Sequence, residues 1–198
     1  MSICVFGSAF DPIHNGHCGI IDGLILDDQF DIVCLVPTGV SVFSKNFMFS
    51  DAQRFHMLSQ LYQDHPKVRI SDYEIQKDSP SYMIETLQHL HMQFSPSDIT
   101  LVIGYDQFMN FHQWKFFQEI LLSYQLLVVH RKGLAISIHN QGLHADLKQY
   151  QQHIQFSELD VPDVSSSTIR AMIQNQQPIS HYVPELIVSN IQQSFYND

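Results

Sequence analysis

Cysteine and basic side chains are scarce in this chain, and no long apolar run interrupts it. The three cysteines, Cys4, Cys18 and Cys34, are odd in number and lack C-x-x-C spacing. That excludes a disulfide framework and predicts reduced thiols in a cytoplasmic protein. Ten Lys and Arg stand against twenty Asp and Glu, a formal charge of −10. This is the wrong sign for a nucleic-acid surface, so no nucleic-acid partner is expected. No apolar stretch reaches membrane-spanning length, and the first residues run into a strand pattern rather than a leader, so no membrane partner is expected either. A Walker lysine and a G-x-G-x-x-G fingerprint are also missing.

What is present is a chain of 198 residues, 44% hydrophobic, able to build a sizeable core. Short β-branched runs recur at "SICVF", "DIVCLVP", "KVRISD", "ITLVIG", "QLLVVH" and "IQFSEL". Helix-like stretches alternate with them, among them "HCGIIDGLILDD", "SDAQRFHMLSQLYQ" and "SYMIETLQHLHMQF". Strands apolar on both faces, alternating with helices, predict an α/β fold: a doubly wound, Rossmann-like parallel sheet. The serine-led "SSSTIRAMIQ" and the ending after Pro184 predict a helical C-terminal part, about 163–198, appended to a single domain spanning 1–198. Gly133 to Gln152 reads as a loop plus a short helix. Ligands of such sheets sit beyond the carboxyl ends of the strands, where strand order switches. The turn after the first strand and the "GYD" after "LVI" are therefore expected to wall one pocket.

That first turn reads "GSAFDPIHNGH", Gly7 to His17. His14 and His17, three apart, share a face of an early helical turn, and Gly16 admits a ligand close to the backbone. Imidazoles at the positive end of a helix dipole can donate to phosphate oxygens. A zinc site that adds Cys18, and a helix cap with incidental histidines, are the two other readings the residues leave open. At the far end, Ser165, Ser166 and Ser167 open a helix, either capping it or binding a polyphosphate. Arg170 follows one turn later with a guanidinium fork suited to phosphate. The remaining histidines, twelve in all with these two, are scattered and read as ordinary surface or half-buried side chains.

With those two motifs, and with "SYMIETL", "VIGYDQFMNFHQW", "VVHRKG" and "YVPELIVSNIQQSFY" in order, the chain resembles the H-x-G-H nucleotidyltransferases. Within them it resembles the bacterial nicotinate mononucleotide adenylyltransferases, over nearly its whole length. The resemblance implies transfer of AMP from ATP to nicotinate mononucleotide, with Mg²⁺ as cofactor, small-molecule nucleotides as partners and a homo-oligomer as an open state. Adenylyl transfer to nicotinamide mononucleotide or phosphopantetheine, and a weak nucleotide-binding paralogue, are the alternatives. It also implies roles: His14, His17 and Arg170 catalytic; Gly7, Ser8, Phe10, Gly16, Gly104, Asp106 and the three serines toward ATP; Lys45, Tyr82, Met83 and Trp114 toward the acceptor. No resident metal site is implied. The chain departs from the family pattern at Ser8 and Ala9, in "VFSK", and at Met83, where threonine is usual. The loss of that hydroxyl implies weaker rejection of the amide acceptor.

Overall fold

Six parallel strands, β1 (Ser2–Ser8), β2 (Ile32–Pro37), β3 (Val68–Ile70), β4 (Asp98–Gly104), β5 (Gln125–Arg131) and β6 (Ile154–Leu159), form one sheet in the order β3-β2-β1-β4-β5-β6. They come from a computed structural model that describes residues 1–40, 46–95, 97–131, 143–159 and 161–196. All six strands fall on the apolar runs expected to form them. Among the described residues seven α-helices intervene or follow: α1 (Asn15–Leu26), α2 (Asp51–Tyr62), α3 (Met83–Gln93), α4 (Tyr105–Phe108), α5 (Phe117–Ser123), α6 (Ser166–Gln174) and α7 (Glu185–Tyr196). A 3-10 helix, Ala145–His153, supplies the short helix expected before β6.

The alternation of side chains along β1 shows why its run is apolar throughout. Cys4 and Phe6 join one core cluster with residues of α1, α2, α6 and α7, while Ile3 and Val5 join the other with Ile84, Leu87, Leu90, Phe108, Ile120 and Leu121. A strand buried on both faces has no room for a polar period. From β1 the chain winds outward through β2 and β3, then returns to place β4 on the other side of β1, with Phe6 opposite Val102. The carboxyl ends of β1 and β4 thus flank the point where strand order reverses, which is where such sheets bind ligands.

The C-terminal helices complete the first core cluster rather than hang from it. Ile169, Ile173, Ile179, Val183, Ile187 and Ile191 are buried in it beside Phe6 and Phe10. The backbone N–H of Asn15 donates to the Tyr182 carbonyl at 2.9 Å, and its side-chain amide to the His181 carbonyl at 3.1 Å. The thiols of Cys4, Cys18 and Cys34 are free. Burial pushes Cys18 up to about 11 and Cys34 up to about 12, and raises Cys4 further. Among the described residues no helix is long and apolar enough to cross a membrane.

Candidate active site

The turn after β1 is shaped by Phe10, a non-glycine residue at φ 47°. Its fully buried ring stands edge-on to Phe6, with centroids 5.7 Å apart, and to His17 at 5.0 Å. Phe10 is therefore the floor on which His17 rests, and its side chain packs rather than faces solvent. His14 lies just outside the helix, in extended conformation at the N-cap of α1, so the two histidines share a face from cap to first turn rather than within one turn. His14 Nδ1 accepts the His17 backbone N–H at 3.2 Å. With Nδ1 accepting that bond, Nε2 is the nitrogen left to donate. Its ring stacks on that of His17, centroids 3.7 Å apart and planes 21° from parallel.

His17 Nε2 meets the Ser8 hydroxyl at 3.1 Å, while its Nδ1 is buried with no partner. Desolvation, and then the neighbouring His14, hold its protonation well below the ordinary histidine range. A positive charge on His17 would lie buried, with little water to screen it. Two stacked planes do not converge their lone pairs on one ion, and the cap already uses His14 Nδ1. Among the described residues no group of three His, Cys, Asp or Glu side chains is arranged to hold a metal. Gly16 is confined: a methyl there would stand 3.1 Å from the His14 ring and 3.2 Å from the Pro162 carbonyl.

Helix α6 begins beside this turn. Ser165 caps it, accepting the Thr168 N–H at 3.1 Å, and Ser166 Oγ donates to the Pro12 carbonyl at 3.2 Å. Arg170 Nη1 donates to the Asp11 carbonyl at 2.7 Å, and Nη2 to Ser167 Oγ at 3.1 Å. The two motifs from opposite ends of the chain therefore meet in space, covering the expected His14, His17, Ser165, Ser166, Ser167 and Arg170 in one neighbourhood. Gly104 caps α4 at the end of β4, the second expected wall, and a methyl there would touch nothing within 4 Å. Asp106 is exposed in the first turn of α4.

Three charged residues the sequence reading missed hold these parts in place. Asp11 is buried; its carboxylate accepts the N–H of Met48 at 3.0 Å and of Phe49 at 2.9 Å, and lies 3.4 Å from Arg170 Nη1. Arg54, wholly buried on α2, donates to the Ala9 carbonyl at 2.6 Å, pairs with Asp51 and lies 4.2 Å above the Phe47 ring. Glu74 accepts the Thr86 hydroxyl at 2.7 Å, and desolvation raises its carboxyl above the usual range. Asp11 sits inside the quoted motif, which was the available signal. Arg54 and Glu74 look like ordinary helix-face and loop charges, and only long-range burial sets them apart.

On the other side of β1, Tyr82, Met83, Tyr105 and Trp114 rim the second core cluster. Tyr82 and Met83 open α3, and a methyl on Gly7 would come within 2.9 Å of Met83 Cε, so Met83 reaches the turn that carries Ser8. Trp114 leans on Phe111, centroids 5.1 Å apart. Lys45, expected toward the acceptor, lies outside the described residues.

A parallel sheet with a donor-rich turn at its switch point, joined there by a serine-led helix, defines a nucleotide-binding α/β protein. The chain belongs to the cytidylyltransferase-like family, whose model matches residues 5–172, and within it to the nicotinate-nucleotide adenylyltransferases. A probable nicotinate-nucleotide adenylyltransferase of a Nitratiruptor species is 30% identical over 191 residues, covering 96% of this chain and 97% of the relative. One from Clostridium novyi is 31% identical over 182 residues, 91% of each. The fold matches a Plasmodium falciparum nicotinic acid mononucleotide adenylyltransferase solved with NaAD, with a TM-score of 0.68 at 16% identity, over 100% of this chain and 99% of that one.

Proposed function

We propose that this protein transfers AMP from ATP to nicotinate mononucleotide, forming nicotinate adenine dinucleotide and releasing pyrophosphate. The observation that carries the reading is the meeting of the His14–His17 stack with the start of α6 at the switch point, in a chain about 30% identical to nicotinate-nucleotide adenylyltransferases over nearly its full length. In the reaction an oxygen of the acceptor phosphate attacks the α-phosphorus of ATP as the bond to the β-phosphate oxygen breaks. The acceptor phosphate is already largely ionised near neutral pH, so no general base is needed. Catalysis is then alignment of two polyanions and stabilisation of charge on the transferring group.

His17 donates Nε2–H to an α-phosphate oxygen, exchanging its hydrogen bond with Ser8 for one to the substrate. His14, whose Nδ1 is taken by the helix cap, turns its other ring nitrogen to the neighbouring phosphate. Gly7, Ser8 and Gly16 shape the turn at the phosphates, with the Ser8 hydroxyl beside His17, and Gly104 leaves open space toward the nucleoside, with Asp106 beyond it. Ser166, Ser167 and Arg170 receive the leaving pyrophosphate. Tyr82, Met83 and Trp114 form the acceptor wall, with Lys45 at its approach. The donors around the phosphates are N–H and O–H groups, and the Asp11 carboxylate is committed to two backbone amides and Arg170. The site thus suits Mg²⁺ carried in on ATP phosphate oxygens, where it neutralises charge, rather than caged by the protein. Incubating the protein with ATP, Mg²⁺ and, in turn, nicotinate mononucleotide, nicotinamide mononucleotide and phosphopantetheine tests the reading. The expected result is nicotinate adenine dinucleotide by mass, with one pyrophosphate per dinucleotide. Transfer to phosphopantetheine alone, or none, overturns it.

A further inference from the structure

We infer that Ser8 is a positioning residue for His17: its hydroxyl selects the ring orientation and tautomer that present Nε2–H to the transferring phosphate. The inference rests on the adenylyl-transfer reading above and gives the Ser8 side chain a task within it. Ser8 Oγ and His17 Nε2 are 3.1 Å apart. The ring's other neighbours are flat and aromatic. Phe10 meets it edge-on at 5.0 Å between centroids, Phe6 is tilted against it at 6.2 Å, and His14 stacks on it at 3.7 Å. His17 Nδ1 is buried and finds no hydrogen-bond partner among the described residues. Aromatic neighbours grip the plane of a ring but do not tell its nitrogens from its carbons. A half-turn about the Cβ–Cγ bond would put Cε1 where Nε2 now stands and leave the packing nearly unchanged. Among the described residues only the Ser8 hydroxyl opposes that half-turn.

The same contact decides where the hydrogen sits. Desolvation, and then His14, keep His17 neutral, so its ring carries a single N–H. A buried N–H is rarely left without an acceptor, and of the two nitrogens it is Nε2 that has one. The hydrogen therefore goes to Nε2. Ser8 can hold its hydroxyl in place because its own backbone belongs to the sheet. It ends β1 opposite Pro37 of β2, and its carbonyl accepts the Thr38 N–H at 2.9 Å. A group on a strand is placed more precisely than one on a loop. When ATP arrives, Nε2–H leaves Oγ for the α-phosphate with the ring already turned the right way. A neutral hydrogen bond is worth about two- to tenfold in population. Without it, a share of the molecules would meet ATP with a carbon, or a bare nitrogen, in place of the donor.

Two measurements on the full-length protein test this. Long-range proton–nitrogen NMR of the free, isotope-labelled protein reads which nitrogen of His17 carries the hydrogen, with no substrate present. The wild type should show one Nε2–H form, Ser8→Ala a mixture of both tautomers, and Ser8→Thr, which keeps a hydroxyl, the wild-type spectrum. In the transfer assay Ser8→Ala should lower kcat about two- to tenfold and leave the KM for ATP near its wild-type value. Added to His17→Ala, it should cost nothing more, because a residue that acts through His17 then has nothing to act on. An unchanged His17 spectrum in Ser8→Ala, a kcat unchanged or raised, or the same fold-loss with and without His17 overturns the role given to Ser8. A wild type with the Ser8-dependent spectrum that transfers no AMP overturns the adenylyl-transfer reading instead.

Discussion

In the proposed reaction His14 has two duties, capping α1 and holding a phosphate, and a substitution can separate them. Asparagine is among the best N-cap residues but is too short to reach where the imidazole Nε2 lies. His14→Asn should unfold within about 1 kcal/mol of the wild type while losing most of its turnover; comparing denaturant midpoints with kcat decides this. On the proposed mechanism His17→Ala removes a donor from a charged transition state and should lower kcat by about a hundredfold or more. Because burial and His14 keep His17 neutral through the ordinary histidine range, kcat should show no break near pH 6.5. The unfolded chain does take up that proton below about 6.5, where the folded protein does not. More protons bound in the unfolded state make stability fall as pH drops through that range, and His17→Gln should flatten this part of the curve. The closeness of the two histidines was legible from their spacing. Their division into one cap and one stacked, desolvated ring was not, because that depends on Phe10 and Ser8 folding beneath it.

At the scale of elements, α6 matters through what Arg170 grips. Its guanidinium bonds Asp11 and Ser167, so the helix start and the first turn form one unit. Arg170→Ala should raise the ATP dissociation constant by about tenfold or more while leaving the mononucleotide near its wild-type value, since a lost bond to a charged group is worth about 1.5–3 kcal/mol. Isothermal titration with each ligand separately checks it, and an acceptor-only defect would place Arg170 at the wrong end of the reaction. The loop after β2 shows a different dependence. A methyl on Gly39 would sit 2.0 Å from the Glu74 carbonyl, a backbone clash no rotamer relieves. Strand positions were readable from their β-branched runs, and so was the placing of the first turn and Gly104 at the carboxyl ends of strands. The anchoring of these elements was not, because Asp11 reaches residues 37, 38 and 159 positions away.

Across the whole molecule, the two core clusters share the sheet, and the C-terminal helices fill one of them. We propose that the chain unfolds as one unit. Far-ultraviolet circular dichroism, which follows all helices, and Trp114 emission, which follows the second cluster, should give coincident transitions in denaturant. A chain ending at Gln176 would lose Ile179, Val183, Ile187 and Ile191 from the first cluster and should fail to fold, whereas separate transitions in the full chain would show two domains. The sequence reading of an appendage was right in its helices and silent on their burial, since apolar spacing along α7 does not name the surface it meets.

The sealed thiols offer an experimental convenience. With Cys4 and Cys34 inside the sheet and Cys18 pushed up to about 11, almost no thiolate is available at neutral pH. A cysteine engineered at exposed Leu122, on α5, would then be the one site a maleimide dye marks, with no native residue removed elsewhere. Ligand-driven movement around α5 could be followed by fluorescence in an otherwise unaltered chain.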